Sequence, residues 1–182
     1  MVLTESTMPA LGTRAPDFAL PEPGTDREWR LADFGAEALG VVFTCNHCPY
    51  AQAVEERVIA LARDFAGRAD FVAISANDAS GFPDDAPEKM VQRAREKEYP
   101  FPYLYDESQA TARAYGAACT PDFFLYGPER QLVYRGRLDD NWQEPEKVQR
   151  HELRDAIEAV LTSKPVAKQQ LPALGCNIKW KV

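Results

Sequence analysis

The sequence predicts an α/β protein built on a central mixed β-sheet flanked by helices. Four observations carry that prediction. The stretch Val41-Val42-Phe43-Thr44-Cys45-Asn46-His47-Cys48-Pro49-Tyr50 runs from an apolar, β-branched strand straight into two cysteines and a proline. From Ala51 onward Val54, Val58, Leu61, Ala62 and Phe65 recur at spacings of three and four, the stripe of an amphipathic helix. A second buried strand, Phe71-Val72-Ala73-Ile74-Ser75, then completes a strand–helix–strand unit whose strands should be parallel. Finally, Asp122-Phe123-Phe124-Leu125-Tyr126 and Gln131-Leu132-Val133-Tyr134-Arg135-Gly136 flank Gly127-Pro128-Glu129-Arg130, an antiparallel hairpin. Parallel and antiparallel pairs together make the sheet mixed.

Taken in order, residues 1–13 read as a flexible N-terminal arm. Residues 15–21 and 28–34 read as short strands of an N-terminal hairpin joined by Glu22-Pro23-Gly24-Thr25-Asp26. Pro49 suits the first turn of the helix, where its missing N–H costs nothing, and Gly67 marks the helix end. Residues 77–87 are irregular, rich in Asp, Pro and Gly, and lead into a polar helix over 88–98. Residues 101–105 form a short strand limited by prolines. A short helix over 108–115 has Ser108 as its N-cap, and a final amphipathic helix covers 146–161. The domain therefore spans 14–162, and residues 163–182 form a C-terminal tail that docks on it.

Composition narrows the function classes. With 182 residues, 45% hydrophobic and 27% charged, the chain suits one globular domain with a substantial core. A net charge of −7 argues against nucleic acid or an anionic membrane as the main partner. No stretch approaches the roughly 20 apolar residues of a membrane span, and the first residues lack a basic and apolar leader, so a cytoplasmic location is expected. Four cysteines are too few for a disulfide scaffold, which favours a catalytic reading of the closely spaced pair.

Two thiols at the mouth of a helix that follows a strand make a redox site. Unpaired N–H groups and the helix dipole favour an anion there, so the Cys45 thiolate, the attacking species, should gain over its thiol. Cys48 is placed to close a small ring with Cys45 and release a mixed disulfide. His47 adds a nearby donor expected to lower the Cys45 pKa. The dithiol carries the electrons, so no cofactor is implied.

This order of elements around Cys-x-x-Cys resembles the thioredoxin fold. Cys119-Thr120-Pro121-Asp122-Phe123-Phe124 is similar to its cis-proline loop, and Ala15-Pro16-Asp17-Phe18-Ala19-Leu20 with its hairpin resembles the redoxin branch, the alkyl hydroperoxide reductase/thiol-specific antioxidant proteins. The extra segment between Ile74 and Tyr103 fits that branch as a redoxin-type insertion. Cys45-Asn46-His47-Cys48-Pro49-Tyr50 together with the tail Gly175-Cys176-Asn177-Ile178-Lys179-Trp180 resembles its peroxiredoxin-like subgroup. The resemblance implies a thiol–disulfide oxidoreductase, with Cys45 as nucleophile and Cys48 as resolving thiol. Thr44, Asn46, Pro49, Tyr50, Thr120 and Pro121 would bind substrate, the last two against its extended backbone. Its partners would be protein or small-molecule disulfides, with a thiol reductant or reductase for recycling. The alternative is a peroxidase that reduces hydroperoxides through a Cys45 sulfenic acid. Two departures bear on this choice. Val42 stands where peroxiredoxins carry the peroxide-binding threonine, and Leu39 stands where thioredoxins carry a buried carboxylate. A histidine directly before the second cysteine is similar to the disulfide-forming Dsb and protein disulfide isomerase sites.

Blander readings stand beside these. Cys45 and Cys48 could be half of a zinc site, but a second ligand pair at suitable spacing is missing, so no metal is expected. Cys119 reads as a small buried residue or as a third thiol near the pair. Cys176 reads as a packing residue of the tail or as a resolving or regulatory thiol. His151 reads as a surface residue of the final helix. Arg135 and Arg137 read as strand-surface charges or as the cation for an anionic substrate. Tyr50, Phe82, Phe101, Tyr103 and Trp142 read as core or loop anchors, some lining a substrate groove. The oligomeric state is left open.

Overall fold

The computed structural model describes residues 3–181. Its core is a five-stranded mixed sheet ordered β6-β5-β4-β8-β9. The strands are β4 (Ala38–Phe43), β5 (Ala69–Ser75), β6 (Tyr103–Tyr105), β8 (Asp122–Tyr126) and β9 (Leu132–Gly136). β4, β5 and β6 run parallel, and β8 is antiparallel to both β4 and β9. Alternation along β4 divides the interior in two. Leu39, Val41 and Phe43 face one core with Tyr115 and Phe124, while Ala38 and Val42 face the other, shared with α1 (Pro49–Asp64) and α4 (Glu152–Leu161). Gly40 lies in β4 because a side chain there would run into the Phe71 ring, 2.8 Å from its Cβ position. The remaining helices are α2 (Pro87–Glu96) and α3 (Ala110–Tyr115). β2 (Ala19–Pro21) and β3 (Glu28–Arg30) pair as the N-terminal hairpin.

α1 is tied to α2 across the insertion. Glu55 on α1 is 8% exposed and accepts two bonds from the Arg93 guanidinium, at 2.6 and 2.8 Å, and one from the Tyr99 hydroxyl at 2.5 Å. A bidentate, largely buried pair of this kind fixes orientation as well as distance.

Three expectations need correction. The arm is not loose: Leu3–Glu5 forms β1, paired antiparallel to β10 (Leu174–Asn177), with Leu3 opposite Cys176. The Ser6 hydroxyl then accepts the Ala173 amide at 2.8 Å, and Thr7 donates to Gly116 O at 2.6 Å. Met1 and Val2, the start of the expected arm, and Val182 at the end of the expected tail lie outside the described residues. The last helix starts at Glu152 rather than 146, because Asp140 and Asn141 side chains capture the amides of Gln143, Glu144, Gln149 and Arg150 and so hold a loop. His151 is consequently the N-cap of α4. α3 begins at Ala110 with Gln109, at φ 63°, as its N-cap, although Ser108 still receives the Ala110 amide at 3.2 Å.

The tail completes a second, three-stranded sheet, β1-β10-β7, where β7 is Cys119–Thr120. β10 pairs antiparallel with β7, setting Cys176 opposite Thr120. Gly175 permits the approach, since a Cβ there would lie 2.0 Å from Thr120 O. No helix among the described residues is long and apolar enough to cross a membrane.

Candidate active site

The site forms where β4 ends and α1 begins. Cys45 follows the strand, and Cys48 is the residue that precedes the first turn, with Pro49 inside it. Both thiols are buried: Cys45 keeps 4% of its surface and Cys48 none. Over them lies the turn Thr120–Pro121, whose peptide bond is cis. Cys45 Sγ is 3.5 Å from Thr120 Oγ1, and the Cys48 thiol donates to Thr120 O at 3.0 Å. Cys176 arrives from β10, its Sγ 2.9 Å from that of Cys48. Cys45, Cys48 and Cys176 pack together with Ala51 and Tyr50 as one small cluster.

The electrostatics differ from the sequence expectation, which gave the favoured thiolate to Cys45. It is Cys48 whose thiol is pushed well below its ordinary value, first by a hydrogen bond from Cys45 and also by bonds from Cys176 and Thr120. Cys45 is held well above, first by donating to Cys48, then by burial, then by the carboxylate of Asp85. The physical reason is position. Cys48, not Cys45, sits as N-cap of α1 with two sulfur donors beside it. One proton is thus lost easily from the pair and the other is retained between them.

His47 lies beside Cys45 as expected, and the same nitrogen is also engaged by Asp85. Its Nδ1 meets Asp85 Oδ2 at 2.5 Å and stands 4.0 Å from Cys45 Sγ, while its ring stacks on Phe82 with centroids 5.3 Å apart. Asp85 is the residue that the sequence reading missed. It is fully buried and also accepts the amides of Asn46 (2.8 Å) and His47 (3.2 Å) and the side chain of Asn77 (2.8 Å). It comes from Pro83–Asp85, a 3₁₀ turn in the insertion, and clamps the loop that carries the cysteines. Cys45 Sγ, His47 Nδ1 and an Asp85 oxygen lie within 4.8 Å of one another, a spacing that could hold a metal ion. A metal there would have to break the short His47–Asp85 hydrogen bond.

The other expected site residues divide. Thr44, Pro49 and Tyr50 reach the surface around the thiols. Asn46 does not: it is 7% exposed, its amide side chain donates to Asp84 O at 2.9 Å and accepts from Tyr103 at 3.1 Å, so it is a loop anchor rather than a substrate contact. The Thr120 edge expected to take a partner's backbone is already paired with β10. Arg135 donates to Pro9 O and Gln170, and Arg137 is paired with Glu152 at 2.6 Å, so neither supplies a cation to the thiols. Cys119 is fully buried, with burial pushing its thiol far up. Burial also raises Cys176, to about 12. Tyr50 packs on Trp142 at 4.1 Å, and beyond them an apolar groove of about 330 Å³ is lined by Val54, Pro121, Leu138, Trp142, Leu171 and Leu174.

A buried carboxylate is present, though not at Leu39. Asp122, directly after Pro121, is fully buried, and burial lifts its pKa to about 7 despite the Ala118 amide it accepts at 3.2 Å. A raised carboxyl pKa means that the folded state binds the extra proton, so stability should fall as pH rises from the unfolded value towards about 7 and then level off. Between pH 5 and 8 the expected loss from this group is about 2–3 kcal/mol. Urea midpoints across that range should show the slope, and Asp122→Asn should flatten it; an equal slope in both proteins would refute the assignment.

A sequence profile of the AhpC/TSA family matches residues 11–135. The chain belongs to the AhpC/TSA family. No curated protein matches the sequence. Two solved structures resemble this AhpC/TSA protein along its whole length. An uncharacterized conserved protein from Geobacillus kaustophilus is 43% identical with a TM-score of 0.94, covering 100% of this chain and 97% of its own. A hypothetical protein from Sinorhizobium meliloti 1021 is 45% identical with a TM-score of 0.92, covering 98% and 99%. A putative thiol:disulfide interchange protein DsbE from Chlorobium tepidum, 22% identical with a TM-score of 0.63 over 84% of this chain and 98% of its own, shares the fold. This AhpC/TSA protein is therefore a thioredoxin-fold redoxin.

Proposed function

We propose that this redoxin is a thiol–disulfide oxidoreductase that works through Cys45 and Cys48. The observation that carries the reading is that both thiols lie buried at the mouth of α1 against the Thr120–Pro121 turn, Cys45 Sγ 3.5 Å from Thr120 Oγ1 and the Cys48 thiol donating to Thr120 O at 3.0 Å, with Cys48 pushed down and Cys45 pushed up. Cys45 keeps the pair's exposed surface and is the sulfur that a partner disulfide reaches. Its proton passes to Cys48, which packs in the same cluster. The Cys45 thiolate attacks the partner, forming a mixed disulfide and releasing one partner thiolate. Cys48 then passes that proton to the departing partner sulfur as it attacks Cys45 Sγ, closing the Cys45–Cys48 disulfide and releasing the second partner sulfur as a thiol. A thiol reductant or reductase restores the dithiol. The apolar groove beside Pro121 and Trp142 suits an extended protein segment.

The peroxidase alternative lacks support at the site. Val42 is buried in the core and both arginines are engaged elsewhere. Stopped-flow oxidation of the reduced protein by hydrogen peroxide, run beside insulin-disulfide reduction, decides between the two. Insulin reduction with slow peroxide oxidation is expected; the reverse would establish the peroxidase.

A further inference from the structure

Two sulfurs make a redox pair, but this site holds three. Cys176 lies 128 residues beyond Cys48 in sequence, yet their Sγ atoms are 2.9 Å apart. Closing that gap to a disulfide of about 2.05 Å requires a movement of about 0.9 Å. The placement is enforced from several sides. Register sets Cys176 opposite Thr120 on β7 and opposite Leu3 on β1. Gly175 allows β10 to lie against Thr120 O, where any side chain would collide. After Cys176 the Ile178 amide donates to Ala118 O at 3.1 Å, and the Lys179 amide donates to Asn77 Oδ1 at 2.8 Å. That same Asn77 donates to Asp85, the clamp of the Cys45 loop, so loop and tail are held by one hydrogen-bond chain. Cys48 packs in one cluster with both other thiols and is the shared partner in the exchange.

We propose that Cys176 is a third redox thiol that takes over the disulfide from Cys45 by exchange at Cys48. This rests on the oxidoreductase reading, which supplies the Cys45–Cys48 disulfide. The Cys176 sulfur attacks Cys48 Sγ, the Cys45–Cys48 bond breaks, and a Cys48–Cys176 bond forms. Cys45 leaves as a thiolate, and the proton given up by Cys176 goes to it. One disulfide is exchanged for another with no net oxidation. The result is a protein that still stores two oxidising equivalents while its outermost nucleophile is free again. The tail is then covalently stapled to the start of α1.

The test uses the full chain with Cys45→Ser, which retains Cys48, Cys119 and Cys176. After one equivalent of diamide, which accepts two electrons and two protons, the thiol count should fall from three to one. Peptide mapping should find Cys48 joined to Cys176. Cys45→Ser with Cys176→Ser should give no intramolecular link. In the wild type oxidised the same way, both the Cys45–Cys48 and the Cys48–Cys176 link should be present. Retention of all three thiols in Cys45→Ser, or intermolecular dimers alone, would overturn the proposal. The mapping is independent of insulin turnover. Absent turnover with the Cys48–Cys176 link present would remove the oxidoreductase reading, whereas turnover without the link would remove only this inference.

Discussion

Replacing Cys45 with serine is expected to abolish insulin-disulfide reduction, a loss of at least about a thousandfold, as befits removal of the nucleophile itself. Cys48→Ser should behave differently. Cys45 can still attack, but a main route for release is gone, so mixed disulfides with substrate should accumulate and appear on non-reducing gels. The two thiols are nearly equivalent in burial, 4% against 0% exposed, so the distinction tests which sulfur a partner meets first. Equal activity of the two variants, or trapping by Cys45→Ser rather than Cys48→Ser, would reverse the assignment. The proton arrangement adds a second readout. Because Cys45 donates to Cys48, losing Cys48 removes the largest cause holding Cys45 up. Alkylation of Cys45 by iodoacetamide should therefore begin at lower pH in Cys48→Ser than in the wild type.

Asp85→Ala should be the most damaging change outside the thiols. Asp85 is fully buried and takes four hydrogen bonds, from two amides, one imidazole and one carboxamide. Removing it strands buried donors, each costing about 1–3 kcal/mol when unpaired. An expected total of about 3–5 kcal/mol matches what breaking a buried charged network usually costs. Urea unfolding would show a lower midpoint at unchanged slope. Asp85→Asn keeps the shape and should lose less. It also removes the negative charge that holds Cys45 up, so Cys45 alkylation should shift to lower pH. An Asp85→Ala protein as stable as the wild type would show that the 3₁₀ turn does not hold the loop.

The parts of this molecule that were legible in its sequence are those governed by local pattern. Val41 to Phe43 announce a buried strand, Pro49 announces a helix start, and Gly127-Pro128 announces a hairpin; all three elements are present. Asp85 was not legible, because nothing distinguishes it from Asp84 beside it. Only the fold shows that one lies fully buried under His47 while the other gives its backbone carbonyl to Asn46. β1 was hidden for a related reason. Three residues with one apolar side chain facing out carry no period, and they become a strand only because β10, at the other end of the chain, offers an edge. The start of α4 was misplaced because side chains competing for amides at Asp140 and Asn141 are stronger than the helical pattern that follows them.

The sheet β1-β10-β7 joins residue 3 to residue 176. Pairings between such distant segments close the largest loop in the molecule and belong to the contacts that form late. The core around β4, β5 and α1 draws on neighbours much closer in sequence. A refolding or newly made chain should then pass through a stage in which Cys45 and Cys48 already face each other and the tail has not arrived. At that stage the first disulfide can form unshielded, and the order of assembly decides which sulfur pair is oxidised first.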